Sequence, residues 1–178
     1  KYNPSTNTWT TGSQLLMPSK RGNGGAAVVN DKLIYIIGGQ GEDLDDNNYS
    51  NYVEYYDTVL NTWTTDTGHS GTITPLPTAR HSMGVSAIGS KIYVFGGADS
   101  NNNYHNTLEI LDTTNNTWKS TNLHKTSYDY AIPSMITGRQ KLVGVTLDSE
   151  IYAIGGSSSN YQNGTQIVEK LIQSSGLD

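Results

Sequence analysis

The residues with most chemical potential in this chain are carboxylates, arginines and tyrosines in polar stretches. Asp43, Asp45, Asn47, Tyr49, Asn51 and Glu54 fall at positions 1, 3, 5, 7, 9 and 12 of an EF-hand calcium loop, a spacing that wraps oxygen ligands around a hard cation. Three features argue against a metal. Position 6 is Asn48 rather than Gly, no helical pattern flanks the loop, and Glu54 recurs as Glu109 and Glu169, which gives it a repeat-wide role. Arg21, Arg80 and Arg139 also recur. Each is a fork of donors that suits a ligand carboxylate or a backbone carbonyl equally well, and both readings stay open. Tyr49, Tyr104 and Tyr161 each sit in Asn-Tyr-x-Asn, and Tyr128 lies in another polar stretch; these are candidate aromatic platforms for a ligand, or loop-packing groups. The expected binding set is therefore Arg21, Arg80, Arg139, Asp43, Asp45, Tyr49, Tyr104, Tyr128 and Tyr161.

Catalytic constellations are missing from the sequence. It has no Gly-x-Ser-x-Gly elbow, no His-Glu-x-x-His and no phosphate-binding glycine loop, and its four histidines are scattered. With no cysteine, thiolate chemistry, disulfides and cysteine-based metal sites are excluded. No cofactor is expected.

What must position these groups is a repeat. The doublets Gly38-Gly39, Gly96-Gly97 and Gly155-Gly156 are spaced by 58 and 59 residues, and Trp9, Trp63 and Trp118 by 54 and 55. Two independent anchors with nearly one period indicate supersecondary units that bury their faces on one another. Within each unit the pattern predicts a hairpin entering the doublet: Ala26–Val29 and Leu33–Ile37, Ser82–Ile88 and Lys91–Phe95, Gly144–Leu147 and Ile151–Ile154. The turns Asn30-Asp31, Gly89-Ser90 and Asp148-Ser149 are of residues that enter positive φ at little cost. The second strand is apolar on both faces, as in a sheet buried between neighbours. A third strand carries the recurrent Glu54, Glu109 or Glu169, and a turn ending in Asn7, Asn61 or Asn116 precedes a fourth strand, whose Trp is expected to fill the space between neighbouring units. No helical periodicity appears, so the chain is read as all-β.

The doublets, a Tyr ahead of the Trp (Tyr2 before Trp9, Tyr56 before Trp63), and Pro18-Ser19-Lys20-Arg21 with Pro77-Thr78-Ala79-Arg80 ahead of strand one resemble the kelch repeat. In the third copy Met135 stands near the place of the Pro, and Leu111 replaces a Tyr. The resemblance implies four-stranded blades of a β-propeller, with residues 1–17 ending one blade, 18–76 and 77–134 forming two, and 135–178 a partial one. Rings of this kind generally hold about six blades, so the expectation is an incomplete ring. Its remaining blades would come from the same polypeptide or from another copy, since open sides would expose apolar strands such as Leu33–Ile37 and Ile151–Ile154. The resemblance also admits enzymes: galactose-oxidase-like copper enzymes, a sialic acid mutarotase and iron-dependent specifier proteins. The first needs a tyrosine crosslinked to cysteine, which this chain cannot make, and the Glu-x-x-x-Asp-x-x-x-His pattern associated with the last is absent.

Composition bounds the partners. Eleven Lys and Arg against sixteen Asp and Glu give a net charge of −5 with no basic cluster, which disfavours nucleic acid. Charged residues are only 15%, while Ser, Thr and Asn total 56 of 178, so the surface is one of neutral hydrogen-bonding groups. No apolar run is long enough to span a membrane. Long loops, from strand two to three and from strand four to the next strand one, share one face, and binding is expected there. The chain is thus read as a recognition module for a protein or glycan, with an extracellular or surface setting favoured, and a propeller enzyme of the mutarotase or glycan-processing type as the alternative.

Overall fold

A computed structural model describes residues 1–12, 15–41, 50–65, 73–121, 132–159 and 164–171. Thirteen strands are formed among them: β1 (Tyr2–Asn3), β2 (Thr8–Trp9), β3 (Gly25–Val29), β4 (Leu33–Ile37), β5 (Val53–Asp57), β6 (Thr62–Thr65), β7 (Gly84–Ile88), β8 (Lys91–Phe95), β9 (Leu108–Asp112), β10 (Thr117–Ser120), β11 (Val143–Leu147), β12 (Glu150–Ile154) and β13 (Val168–Leu171). Every pairing is antiparallel between sequence neighbours. The strands make sheets β3-β4-β5-β6 and β7-β8-β9-β10, a three-stranded sheet β11-β12-β13, and the pair β1-β2. This is the all-β architecture of two full units and two partial ones.

Local chemistry explains the up-and-down course. Asn30 and Asp31 (φ 54° and 51°) and Asp148 and Ser149 (51° and 60°) take both central positions of their hairpin turns left-handed, matching strand twist; in the second unit Gly89 does so at 56°. Asn7, Asn61 and Asn116, at φ 53°, 55° and 58°, end the turns before strand four. Asp57 tightens its turn by accepting the N–H groups of Val59 and Leu60, each at 2.9 Å. The two turns of a sheet are also tied together: Thr58 and Thr113 donate N–H and hydroxyl bonds to the carbonyls of Lys32 and Ser90.

First strands pack side by side, β3 on β7 and β7 on β11, so they form the inner edge of the body. The core lies between successive sheets. Ala27, Val29, Ile37, Val53, Ile73, Leu76, Val85, Ile92, Val94 and Leu111 fill the first gap, and Phe95, Leu108, Leu142, Ile151 and Ala153 the second. Among the described sheets only the middle one, β7–β10, is sandwiched, and β8 is correspondingly the most buried of the three second strands.

Two expectations change here. Trp118 is half-buried against the first core, with its indole N–H donated to the Thr74 carbonyl at 3.0 Å, whereas Trp9 is 76% exposed. A repeated Trp fills a space between sheets only where the neighbouring connection covers it. The apolar surface of the open sides is also carried mostly by first strands, through Val28 on β3 and Val143, Val145 and Leu147 on β11, with Ile154 alone from the expected second-strand segments. First strands stack directly on one another, so they lose most when a neighbour is absent.

Candidate functional site

The site is built upward from the glycine doublets. Gly38 and Gly39 have φ of 61° and 109°, Gly96 and Gly97 of 68° and 87°, and Gly155 and Gly156 of 65° and 96°, a backbone that L side chains rarely adopt. There strand two ends and the long loop begins. The second glycine reaches across to the next sheet: the N–H groups of Gly39 and Gly97 donate to the carbonyls of Arg80 and Arg139, each at 2.9 Å.

Each of those arginines turns its side chain back into its own sheet. The Arg80 guanidinium donates to the Gly96 carbonyl at 3.0 Å, the Thr107 hydroxyl at 3.1 Å and the Glu109 carboxylate at 2.8 Å. Arg21 repeats the pattern with the Gly38 carbonyl at 2.9 Å and Glu54 at 2.6 Å, and Arg139 with the Gly155 carbonyl at 2.7 Å and Glu169. Ser19 and Thr78, two residues before their arginines, donate to the same carboxylates. Burial makes both charged forms costly: it lowers the Arg80 pKa against the pull of Glu109, and raises that of Glu109 against the pull of Arg80. Mutual pairing is what lets both stay inside.

The three expected ligand arginines therefore lie beneath the loop face with side chains almost wholly buried, and their donors are spent on carbonyls and carboxylates. Glu54, the last residue of the calcium-like spacing, is fully buried and accepts from Ser19, Arg21 and Thr65, so its oxygens face protein donors. Among the described residues no three His, Asp or Glu side chains gather as a metal would require. Asp43, Asp45, Asn47, Tyr49, Tyr128 and Tyr161 lie outside the described residues.

Tyr104 does lie on the loop face, half-buried, with its backbone bridged to Ala98. The loop around it is internally braced. Asp99 accepts from the N–H groups of Asn101 and Asn103 at 2.9 and 3.0 Å and from the Asn103 amide at 3.0 Å, and His105 donates its N–H to the Gly97 carbonyl at 2.9 Å. His105 Nε2 stands 3.3 Å from Asp99, close enough for an ion pair when protonated but out of line for a hydrogen bond.

The rim nearest the inner edge holds a feature that sequence reading missed. Asn23, Ser82 and Lys141, each two residues after its arginine, have φ of 55°, 54° and 57°. Ser82 donates its N–H to the Asn23 carbonyl, and Lys141 to the Ser82 carbonyl, both at 2.7 Å. A chain of backbone bonds thus runs around the mouth on the loop side, with His81 and Gln140 beside it in bridges to Ala98 and Ser157. The signal was available in the fixed offset from the arginine, but residue types so unlike one another conceal it. No helix among the described residues is long and apolar enough to cross a membrane.

Comparison with known proteins agrees with this geometry. The profile of a KLHDC2/KLHL20/DRC7 Kelch-repeats domain matches residues 46–172, and that of a Kelch motif matches residues 21–66. The chain is similar to Kelch-like protein 7 of Rattus norvegicus, 35% identical over 96 residues, which is 54% of this chain and 14% of that protein. It is also similar to Kelch-like ECH-associated protein 1A of Danio rerio, 34% identical over 105 residues, 59% of this chain and 16% of that protein. An F-box/kelch-repeat protein of Arabidopsis thaliana is 33% identical over 94 residues, 52% of this chain and 20% of its own length. The matched region is thus at most about a fifth of these relatives. The profile match covers well over half of the chain, and its sheets are blades of an open, kelch-type β-propeller: the chain belongs to the kelch-repeat family.

Proposed function

We propose that this chain is a protein-recognition module whose ligand meets the long-loop face. The carrying observation is the anchoring of that face. In each of the sheets β3–β6, β7–β10 and β11–β13 a buried arginine joins the glycine corner to the strand-three glutamate, so each long loop described there leaves from a fixed base. Rigid bases with variable loops above them suit recognition. The kelch-like relatives favour a protein ligand, one of them being named as ECH-associated; they lend no support to a glycan ligand or to sugar-processing activity. Tyr104 and its braced loop are the described part of the surface, and Asp43, Asp45, Tyr49, Tyr128 and Tyr161 are proposed to extend it. The arginines Arg21, Arg80 and Arg139 serve as supports.

The test is capture from the native source on immobilised chain, with bound proteins identified by mass spectrometry, beside a glycan array. The reading expects a protein retained by the wild type and lost on Tyr104→Ala or Asp45→Ala. A glycan captured and turned over instead overturns it.

A further inference from the structure

We propose that Asp99 and His105 form an acid-operated switch in the loop that presents Tyr104: a proton taken up at His105 Nε2 draws the Asp99 carboxylate away from the turn it holds, and the surface at Tyr104 is rearranged. The proposal rests on the reading of this loop as part of the recognition face, to which it adds control by pH.

The pair belongs to this loop and not to the repeat. In each described unit the residue that closes the long loop donates its N–H to the carbonyl of the second glycine: Ser50 to Gly39, His105 to Gly97 and Thr165 to Gly156. At the first and last of these corners the side-chain oxygen then accepts the N–H two residues on, Ser50 from Tyr52 at 2.8 Å and Thr165 from Ile167 at 3.2 Å. A short hydroxyl residue thus satisfies the corner. His105 puts an imidazole there instead, and its Nε2 is buried without a hydrogen-bond partner. Two residues after the second glycine stand Gly41, Asp99 and Ser158 in turn, so only the middle loop sets a carboxylate beside that ring.

What can move follows from what is held. The Tyr104–His105 peptide is seated on the next unit: a Cβ on Gly138 would strike the Tyr104 carbonyl, and the His105 carbonyl accepts the Arg139 N–H at 3.2 Å. Among the described residues the Asp99 carboxylate accepts hydrogen bonds only from its own turn, through Asn101 and Asn103. Neutral, the ring offers Asp99 Oδ2 either a lone pair or an N–H that lies out of line across 3.3 Å. Protonated, Nε2 carries both a hydrogen and a positive charge, and a charge-assisted bond to Asp99 is about twice as strong as the neutral one from the Asn103 amide. Because the peptide at 105 is fixed, the pair aligns by turning the ring and the carboxylate, and a turned carboxylate gives up its bonds from Asn101 and Asn103. Tyr104 follows Asn103 directly, so its presentation changes.

The charges around the ring set where this happens. From its own loop the ring faces Asp99, and from the strap before β7 it faces Arg80. From the strap before β11, Arg139 turns its guanidinium to Gly155, Ala153 and Glu169. Burial first, then Arg80, pushes the His105 pKa below the ordinary histidine value, with Asp99 opposing. Against burial, which raises it, hydrogen bonds from Asn103 and Asn101 and the nearby His105 hold Asp99 below the usual carboxylate range. His105 is therefore neutral at neutral pH, and Asp99 is still charged when the ring takes its proton in mild acid.

Nuclear magnetic resonance on the free chain tests the switch without a ligand. As pH falls from about 7.5 to about 5, the His105 ring should titrate with a midpoint below about 6.5. With that same midpoint the Asn101 and Asn103 amides should shift and lose about tenfold of their exchange protection, once the intrinsic pH dependence is divided out. The His105 and Arg139 amides, bonded to Gly97 and His105, should keep theirs. His105→Ser, which puts the residue type of Ser50 at this corner, and, independently, His105→Gln should abolish the response of the loop amides. Protection that holds while His105 titrates, a response that survives both substitutions, or a ring that stays neutral until the chain unfolds would each overturn the proposal. Failure of the recognition reading would show separately, as a captured protein indifferent to Tyr104→Ala.

Discussion

Arg80 and Glu109 meet at 2.8 Å in a place where neither side chain is more than 1% exposed. Twenty-nine residues apart in sequence, they join the strap before strand one to the third strand of the same blade. Because the Arg80 carbonyl also takes the Gly39 N–H, one residue holds its own blade and the previous one. Equivalent residues do this at the next junction, so the loop face is supported by a repeated cross-tie.

Removing one partner should be far worse than replacing both by apolar residues of similar volume. Glu109→Ala strands a buried guanidinium, and the expected loss is about 3–5 kcal/mol in urea unfolding. Arg80→Lys should recover little, because a point charge cannot serve Gly96, Thr107 and Glu109 together. A loss under about 1 kcal/mol for either change would mean that the tie carries no stability.

Gly38→Ala and Gly155→Ala form a matched pair. Both place a Cβ at left-handed φ, at 61° and 65°, which costs about 1–2 kcal/mol. Only at Gly38 does that Cβ also collide with the neighbouring blade, with backbone 2.6 Å away. Thermal denaturation should therefore rank Gly38→Ala as clearly the more damaging; equal effects would contradict the inter-blade fit.

The tryptophans should separate by cover rather than by type. Trp118→Ala, losing half-buried contacts and its bond to Thr74, should cost roughly 2–3 kcal/mol, below the range for a fully buried Trp. Trp9→Ala should fall within about 0.5 kcal/mol of wild type. Chemical denaturation of both variants checks the order.

Acid should weaken the protein in two steps. Burial lowers the pKa of His81 and of His105; the charge of Lys141 adds to it at His81, and that of Arg80 at His105, where Asp99 opposes. Below about pH 6.5 the unfolded chain then binds protons that the native state refuses, so stability falls with pH until the native values are reached. The carboxyls of Asp57 and Asp112 are held down by hydrogen bonds, from Lys32 and Thr114 first of all. Their share persists above about pH 4 and is lost as pH drops through the depressed values. Melting temperature against pH should show both declines, and the upper one should shrink in His105→Gln.

Much of the fold was legible because its causes are local. Asn7, Asn61 and Asn116 occupy the left-handed positions their residue type suggests, and the glycine doublets mark where strand two ends. The Arg–Glu ties were half legible. Both residues recur visibly, but the separation between them varies with the loops, from 33 to 29 to 30 residues, so spacing alone does not pair them. The exposure of Trp9 was not legible at all. Its surroundings depend on a neighbouring blade, and its sequence context is nearly the same as that of the covered Trp118.

Side-specific binding is the sharpest test of the central claim. Once a protein captured from the native source is identified, its affinity can be measured against Tyr104→Ala on the loop face and against Ser90→Ala and Thr114→Ala on the turn face. Tyr104→Ala should weaken binding at least about tenfold, some 1.4 kcal/mol, with melting temperature little changed, while both turn-face variants bind as wild type. Binding lost at Ser90 or Thr114 and kept at Tyr104 would contradict recognition by the long loops.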